Sequence, residues 1–313
     1  MGLKEWKLPK GYYGVFCSSD GKYFCVHMRR KVKFYQLPDR KFLFDLRISN
    51  AVKVYFSPLS NYCVITTCAK ELYVVDMEKQ EVMYKDLRAN IPEWNTTVIF
   101  FDNDSFLYVQ EENTDSMDFL PEVMKYFLYR FEIPSKTVCP FGLVESSDSV
   151  HLVREGDNIK ILGTIEDREM EESDYIIYTF HIPTGEITEQ RFIAPRDCKR
   201  FLAAGDYCPE TGAYIIPMDI GVRIYNKELK AESSKRTQKN VYGTYWLKGG
   251  KYFIVDYLGE WQLYSYTPGA VPKLEAKNQG EYTGLIIPQD SSKSFFCCAY
   301  YESPFVLYQI IDD

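Results

Sequence analysis

Seven times along this chain a turn rich in Gly, Asn, Asp or Ser is followed by an apolar strand and then by a second strand carrying aromatic or aliphatic residues. The turns are Asp20-Gly21-Lys22, Leu59-Ser60-Asn61, Asn103-Asp104-Ser105, Gly156-Asp157-Asn158, Glu210-Thr211-Gly212, Lys248-Gly249-Gly250 and Asp290-Ser291-Ser292. Gly, Asn and Asp tolerate positive φ, which tight hairpins require, so each turn joins two antiparallel strands. Behind each turn comes an apolar residue: Tyr23, Tyr62, Phe106, Ile159, Tyr214, Tyr252 or Phe295. A third strand follows, at Val32–Leu37, Leu72–Met77, Phe127–Ile133, Tyr175–Ile182, Gly221–Tyr225, Trp261–Tyr266 and Phe305–Ile310. In these third strands Tyr35, Val75, Phe131, Phe180, Tyr225, Tyr264 and Tyr308 take matching places. Two of them share wording, Phe131-Glu132-Ile133-Pro134-Ser135 and Phe180-His181-Ile182-Pro183-Thr184.

The repeats recur every 38 to 56 residues or so, and a period near 40 with four short strands is the mark of a propeller blade. An all-β sandwich mimics two or three such units, but seven in register predict an all-β, seven-bladed β-propeller, with four antiparallel strands per blade. An eight-bladed or irregular all-β fold is the alternative. On period and strand order the chain resembles the WD40-like propellers, and the resemblance covers nearly all of it. The signature residues differ. No Gly-His opens the repeats and no Trp-Asp closes the third strands; Val75-Asp76 and Phe44-Asp45 come nearest. The buried hydrogen-bond network built by those signatures is therefore not expected, and packing must hold the blades.

The ends of the sequence fit a ring. The last third strand runs to Ile310, leaving its blade without an outer strand, while Leu3–Leu8 alternates like a strand and precedes the first blade. That N-terminal strand is expected to close the last blade, since an open ring exposes unpaired edge groups. The 313 residues then make one domain, 1–313. No apolar run of signal or membrane-spanning length occurs. Nine cysteines, an odd number without a Cys-x-x-Cys pair, point to free thiols in a cytoplasmic protein.

Function is sought where the repeats differ. From post-turn residue to third-strand residue the interval is 11 to 13 in five repeats, but 25 in Phe106→Phe131 and 21 in Ile159→Phe180. Blades three and four thus carry neighbouring insertions on one face, where binding loops on rigid scaffolds are placed. Both are acidic. Glu111–Tyr126 holds Glu111, Glu112, Asp115, Asp118 and Glu122 against Lys125, a net of −4. Glu166–Asp174 holds Glu166, Asp167, Glu169, Glu171, Glu172 and Asp174 against Arg168, a net of −5. The whole chain carries −7, so the charge is localised. Such a patch attracts a basic protein surface and repels nucleic acid. Solvated loops without a partner are the plain alternative.

Met117, Phe119, Leu120, Val123 and Met124 are spaced for a short apolar helical face, capped by Ser116 or Asp118. It folds back on the blade rim or, with Phe119, joins the contact surface. Basic residues gather at Arg29, Arg30 and Lys31 and along Lys227–Lys239, both read as solvated surface. The expected function is a protein-interaction platform, a monomer or a subunit of a hetero-complex, using the two acidic insertions. No nucleic acid, membrane or cofactor is implied. The rival is a channel-based, metal-dependent hydrolase of lactonase type. Its footing is thin, because His27, His151 and His181 lie in different blades and no catalytic motif occurs. His151 and Lys53, on innermost strands, are the polar channel candidates; a structural role is the first reading of each.

Overall fold

A computed structural model describes residues 2–7, 14–37, 39–92, 96–112, 123–147, 150–167, 172–193, 205–218, 221–236, 240–257, 259–278, 282–286, 295–300 and 306–311. Strand β1 (Gly2–Lys7) comes first. Sheet 1 follows as β2 (Gly14–Cys17), β3 (Tyr23–Met28), β4 (Lys31–Gln36) and β5 (Lys41–Leu46), and sheet 2 as β6 (Ala51–Phe56), β7 (Tyr62–Thr67), β8 (Leu72–Asp76) and β9 (Glu81–Asp86). Sheet 3 holds β10 (Val98–Phe100), β11 (Ser105–Glu111), β12 (Met124–Glu132) and β13 (Thr137–Ser146). Sheet 4 holds β14 (His151–Glu155), β15 (Asn158–Asp167), β16 (Glu172–His181) and β17 (Glu186–Ile193). Sheet 5 holds β18 (Asp206–Cys208), β19 (Ala213–Met218), β20 (Gly221–Tyr225) and β21 (Ala231–Arg236). Sheet 6 holds β22 (Val241–Leu247), β23 (Tyr252–Tyr257), β24 (Glu260–Ser265) and β25 (Lys273–Lys277), and β26 (Tyr282–Ile286), β27 (Phe295–Tyr300) and β28 (Val306–Ile311) complete the set. All pairings are antiparallel, in four-stranded sheets of simple meander order. The last sheet has the order β1-β28-β27-β26, with Gly2 opposite Ile311 and Lys7 opposite Val306. This is an all-β propeller with four-stranded antiparallel blades.

Alternation explains the packing. Successive strand residues point to opposite faces, and here both faces are covered, so central strands read as continuous apolar runs. In β7, Cys63 and Ile65 join a cluster with Phe16 and Phe34 of sheet 1, whereas Val64 joins one with Phe100 and Phe106 of sheet 3. Similar clusters lie between sheets 3 and 4, 4 and 5, and 5 and 6. Trp261 and Leu263 of sheet 6 pack with Phe296 and Tyr308 of the last sheet. Leu307 of that sheet packs in turn with Val15 and Phe24 of sheet 1, with Trp6 of β1 against them. Most described innermost-strand residues are buried, whereas outer strands such as β5, β9 and β25 are largely exposed and carry charge.

The ladders refine the repeat. Phe106 lies opposite Phe131, Ile159 opposite Phe180 and Tyr214 opposite Tyr225, as their matching places imply. In four other sheets the partner is one residue later than the first post-turn apolar residue: Phe24 faces Tyr35, Cys63 faces Val75, Phe253 faces Tyr264 and Phe296 faces Tyr308. Those turns are one residue longer before the buried position is reached. The resulting rings stack, at 4.8 Å for Phe24–Tyr35, 5.0 Å for Phe106–Phe131, 5.1 Å for Phe253–Tyr264 and 4.9 Å for Phe296–Tyr308. Aromatic pairs of this kind add about 0.5–1.5 kcal/mol beyond their burial. Sheets 1 to 6 also share a bulge between third and fourth strands. In each of the six a residue with positive φ lies in the hairpin before the fourth strand: Arg40, Gln80, Lys136, Gly185, Leu229 and Gly269.

Where signature residues are missing, local side chains hold the turns. Ser18 Oγ accepts from Tyr23 N at 2.9 Å and Ser57 Oγ from Tyr62 N at 3.1 Å, in equivalent turns of sheets 1 and 2. In sheet 3 the Asp102 carboxylate takes over, accepting from Asp104 N and Ser105 N. Cys17, Cys25, Cys63, Cys68, Cys139, Cys208 and Cys298 are free. Burial pushes the Cys17 thiol up to about 12 and the Cys63 thiol higher still, so neither is a reactive thiolate.

Candidate functional site

Both long segments join a second to a third strand, which puts them at the same end of neighbouring sheets. Backbone hydrogen bonds trace that face from sheet to sheet. Asn50 N donates to Arg29 O, Cys68 N to Asn50 O, Ile91 N to Lys70 O, Glu111 N to Asn90 O, and Leu152 N to Thr96 O. Hairpins and inter-sheet connections therefore interlock there.

The segment of sheet 4 is a hairpin rather than a loop. β15 and β16 run ten residues each, with Ile165 opposite Asp174, Glu166 opposite Ser173 and Asp167 opposite Glu172. The acidic composition hid this strand extension, because charged residues depress strand propensity while an existing ladder carries them along. The register sets one acid opposite another, Asp167 opposite Glu172. Glu169 and Glu171 fall outside the described residues. Asp174 is half-buried and already engaged in a polar contact.

In sheet 3 the ladder runs to Glu111 opposite Tyr126. Glu111 is half-buried and accepts from Lys70 Nζ of sheet 2, while Asn90 Nδ2 donates to its backbone carbonyl at 2.7 Å. Its charge is thus matched within the protein. Glu112 is half-buried beside it. Asp115, Asp118, Phe119 and Glu122 lie outside the described residues, as do Ser116, Met117 and Leu120 of the expected helical face. Met124 begins β12 instead, and packs against the cluster between sheets 3 and 4.

The basic stretches divide. Arg29 and Arg30 are exposed on the face just traced, and Lys31 pairs with Asp45 at 3.0 Å. Lys227 and Lys230 lie in the turn before β21, while Lys235 and Arg236 end that strand at the opposite end of sheet 5; Lys239 lies outside the described residues.

The innermost strands hold a polar network that pattern reading did not find. His151 Nε2 lies 3.1 Å from Asp206 Oδ1, and both residues are buried. The Asp206 carboxylate also accepts from its neighbour Tyr207 N at 2.8 Å and, through Oδ2, from Trp246 N at 2.7 Å. One acid thereby joins sheets 4, 5 and 6. His151 has the structural role expected of it, but its partner is 55 residues away. Nearby, Lys160 is buried with its Nζ 2.9 Å from Thr179 Oγ1 and flanked by Glu155 and Glu189 at 3.8 and 3.7 Å. The Tyr207 hydroxyl donates to Glu155 from sheet 5.

Two further groups are perturbed. Burial lowers the Lys53 ammonium to about 7 and raises the Asp256 carboxyl to about 7. For Asp256 the folded value is above the unfolded one, so its stabilisation is full below about pH 4 and is lost as pH rises to about 7. For Lys53 the folded value is depressed, so its cost is full below about pH 7 and fades toward pH 10. The joint contribution of these two groups is least favourable near neutrality. Lys53→Met should flatten the alkaline limb and Asp256→Asn the acid limb, by about 2 kcal/mol each, half the ceiling set by a three-unit shift because both side chains keep some solvent. Urea denaturation across pH reads this directly, and unchanged limbs in both variants would reject it.

Among the described residues no group of three or more His, Cys, Asp or Glu is arranged to hold a metal ion, so the metal-hydrolase reading gains no support. No described helix is long and apolar enough to cross a membrane.

No protein-family model and no curated protein sequence matches the chain. Solved structures match its fold. The C-terminal WD40 domain of Sif2 is similar with a TM-score of 0.64 at 12% identity, covering 96% of this chain and 82% of that one. Hydrazine synthase of Kuenenia stuttgartiensis gives 0.65 at 12%, covering 97% and 96%. A chain of the mitotic checkpoint complex gives 0.63 at 9%, covering 99% and 91%. A synthase, a WD40 domain and a chain of a checkpoint complex share this architecture, so likeness of fold does not carry activity. On strand order, ladder register and these matches, the chain has a β-propeller fold similar to that of WD40 domains.

Proposed function

We propose that this protein is a cytoplasmic interaction platform: a seven-bladed ring, closed by β1, that receives a protein partner with a basic surface on the face where the hairpins of sheets 3 and 4 are lengthened. The closed ring is supported by the β1–β28 ladder and by Leu307 packing with Val15 and Phe24 of the first sheet. The binding face is supported above all by the ten-residue hairpin arms of β15 and β16. They project acidic sequence beyond the common blade length, next to the other long hairpin. Opposed acids at a strand tip are relieved by cations from outside, which favours a partner rich in Lys and Arg. One of the similar structures is a chain of the mitotic checkpoint complex, which fits a protein partner.

Replacing Glu112, Asp115, Asp118, Glu122, Glu166, Asp167, Glu169, Glu171, Glu172 and Asp174 by Ser should reduce capture of the partner more than tenfold at physiological salt, with the fold intact by circular dichroism. Glu111→Gln should leave capture within about twofold, because Lys70 already neutralises that acid. Capture unchanged by the Ser set, or insensitive to added salt, would refute this surface.

A further inference from the structure

The outer strand of each sheet has one unpaired edge, and proteins guard such edges with charge. Here β1 carries Lys4 and Glu5, β5 Lys41 and Asp45, and β9 Glu81 and Lys85. Likewise β17 carries Glu186 and Glu189, β21 Glu232 and Lys235, and β25 Lys273 and Glu275. The outer strand of sheet 3, β13, differs. From Thr137 to Val144 it holds no charged residue, and Thr137, Val138, Cys139 and Pro140 are exposed in succession. Val138 and Leu143 are 39% and 40% exposed, so this unguarded edge is also apolar.

The ladder fixes how this edge is presented. Leu128 pairs with Gly142 and Tyr129 with Pro140, so Phe141 is an extra, bulged residue. Val138 lies opposite Phe131 and Leu143 opposite Phe127. Those partners are four apart on β12, so the bulge brings Val138 and Leu143 to the same face of the sheet. Glu145, opposite Lys125, belongs to the same set. Its backbone groups turn away from β12: Glu145 N donates to the Tyr178 hydroxyl at 3.4 Å, and that hydroxyl donates to Glu145 O at 3.0 Å. Hydrogen-bonding direction alternates along an antiparallel ladder, so the backbone groups of Leu143 and Val138 also turn outward.

The edge is complementary to itself. About a two-fold axis between Pro140 and Phe141, β13 runs antiparallel to a second β13, with Val138 of each copy opposite Leu143 of the other. The same register sets Lys136, exposed in the turn before β13, opposite Glu145, exposed near the far end of the strand. Two apolar pairs and two pairs of opposite charge thus follow from one symmetry operation. Pro140 and the bulge would interrupt pairing with a straight foreign strand, but in the two-fold arrangement they meet their own copies at the axis. We infer that β13 docks a second copy of this chain, joining two four-stranded sheets into one of eight strands. The contact is one strand wide, so the association is weak, with monomer at about 1 μM and dimer building up toward about 1 mM. It stands apart from the acidic-face reading above.

Sedimentation equilibrium of the full chain should show a concentration-dependent monomer–dimer equilibrium. Leu143→Lys, which sets a charge on the exposed edge, should weaken it about tenfold or more with an unchanged circular dichroism spectrum. Lys136→Glu places only acids at the charged positions of the contact, and Glu145→Lys only cations, so each alone should dimerise about tenfold more weakly. Mixed in equal amounts, these two variants should recover the parental affinity as a heterodimer, since each supplies the charges that the other has lost. Hydrogen exchange of residues 137–145 should slow as concentration rises, while that of β5 and β25 stays constant. A chain that is monomeric at every concentration overturns the inference, and that includes the case in which β13 serves a foreign strand. So does a dimer that Leu143→Lys leaves intact, or one whose charge variants are unmoved or fail to recover on mixing.

Discussion

Deleting residues 1–7 should prevent the chain from remaining a folded monomer. β1 is the only outer strand of the last sheet, and its removal strips the whole β1–β28 ladder, from Gly2 opposite Ile311 to Lys7 opposite Val306. It also uncovers Leu307 and the apolar cluster against which Trp6 packs, and the cluster of Ile310 and Tyr308 against which Leu3 packs. Six residues of ladder and two inter-sheet contacts amount to roughly 5 kcal/mol or more, comparable with the net stability of a typical domain. The bared edge of β28 is a row of unpaired donors and acceptors that templates aggregation. The truncated chain should therefore elute as soluble aggregate, and a synthetic peptide of residues 1–10 supplied in trans should restore monomer by adding the missing strand. A truncated chain that stays monomeric with unchanged Tm would remove β1 from the account.

Asp206→Ala should be the most damaging single substitution among the polar residues. Its carboxylate serves His151 of sheet 4, the backbone of its own sheet and Trp246 N of sheet 6. Alanine leaves a buried indole-bearing backbone amide and a buried imidazole without their acceptor at once. Each buried donor left without its acceptor costs about 1–3 kcal/mol, so the loss should reach about 3–5 kcal/mol. Asp206→Asn retains an acceptor for Trp246 N and should lose about half as much. His151→Ala leaves the acid with two amide donors and should cost about 1–2 kcal/mol. The two single changes should be non-additive in a double-mutant cycle, since both sever the same contact. Urea midpoints measure all four proteins; additive losses would show that the pair does not act as a unit.

These expectations show where pattern reading reaches its limit. Turns such as Asp20-Gly21-Lys22 and strands such as Gly221–Tyr225 are legible because turn chemistry and alternation are local. The stacked pair Phe106–Phe131 was legible for the same reason, even across a long insertion. The left-handed residues before the fourth strands were not: glycine marks Gly185 and Gly269, but Arg40, Gln80, Lys136 and Leu229 adopt positive φ under tertiary constraint. The sheet-4 hairpin was hidden by its acids, which look like loop until the register of Ile165 with Asp174 is seen. Asp206 resembles any surface acid, because nothing local tells that His151 and Trp246 converge on it. Lys53 and His151 were picked out as polar residues on innermost strands, yet only the ladders separate them, one matched by an acid and the other not.

The closed ring underlies the binding face, and amide hydrogen exchange of the intact chain tests it most directly. If β1 closes the last blade, the ladder amides of Leu3–Lys7 and Val306–Ile310 exchange slowly and open together with the strands of sheet 1. If instead the β1 amides exchange at unprotected rates while β2 to β25 remain protected, the ring is open at that seam and the account fails.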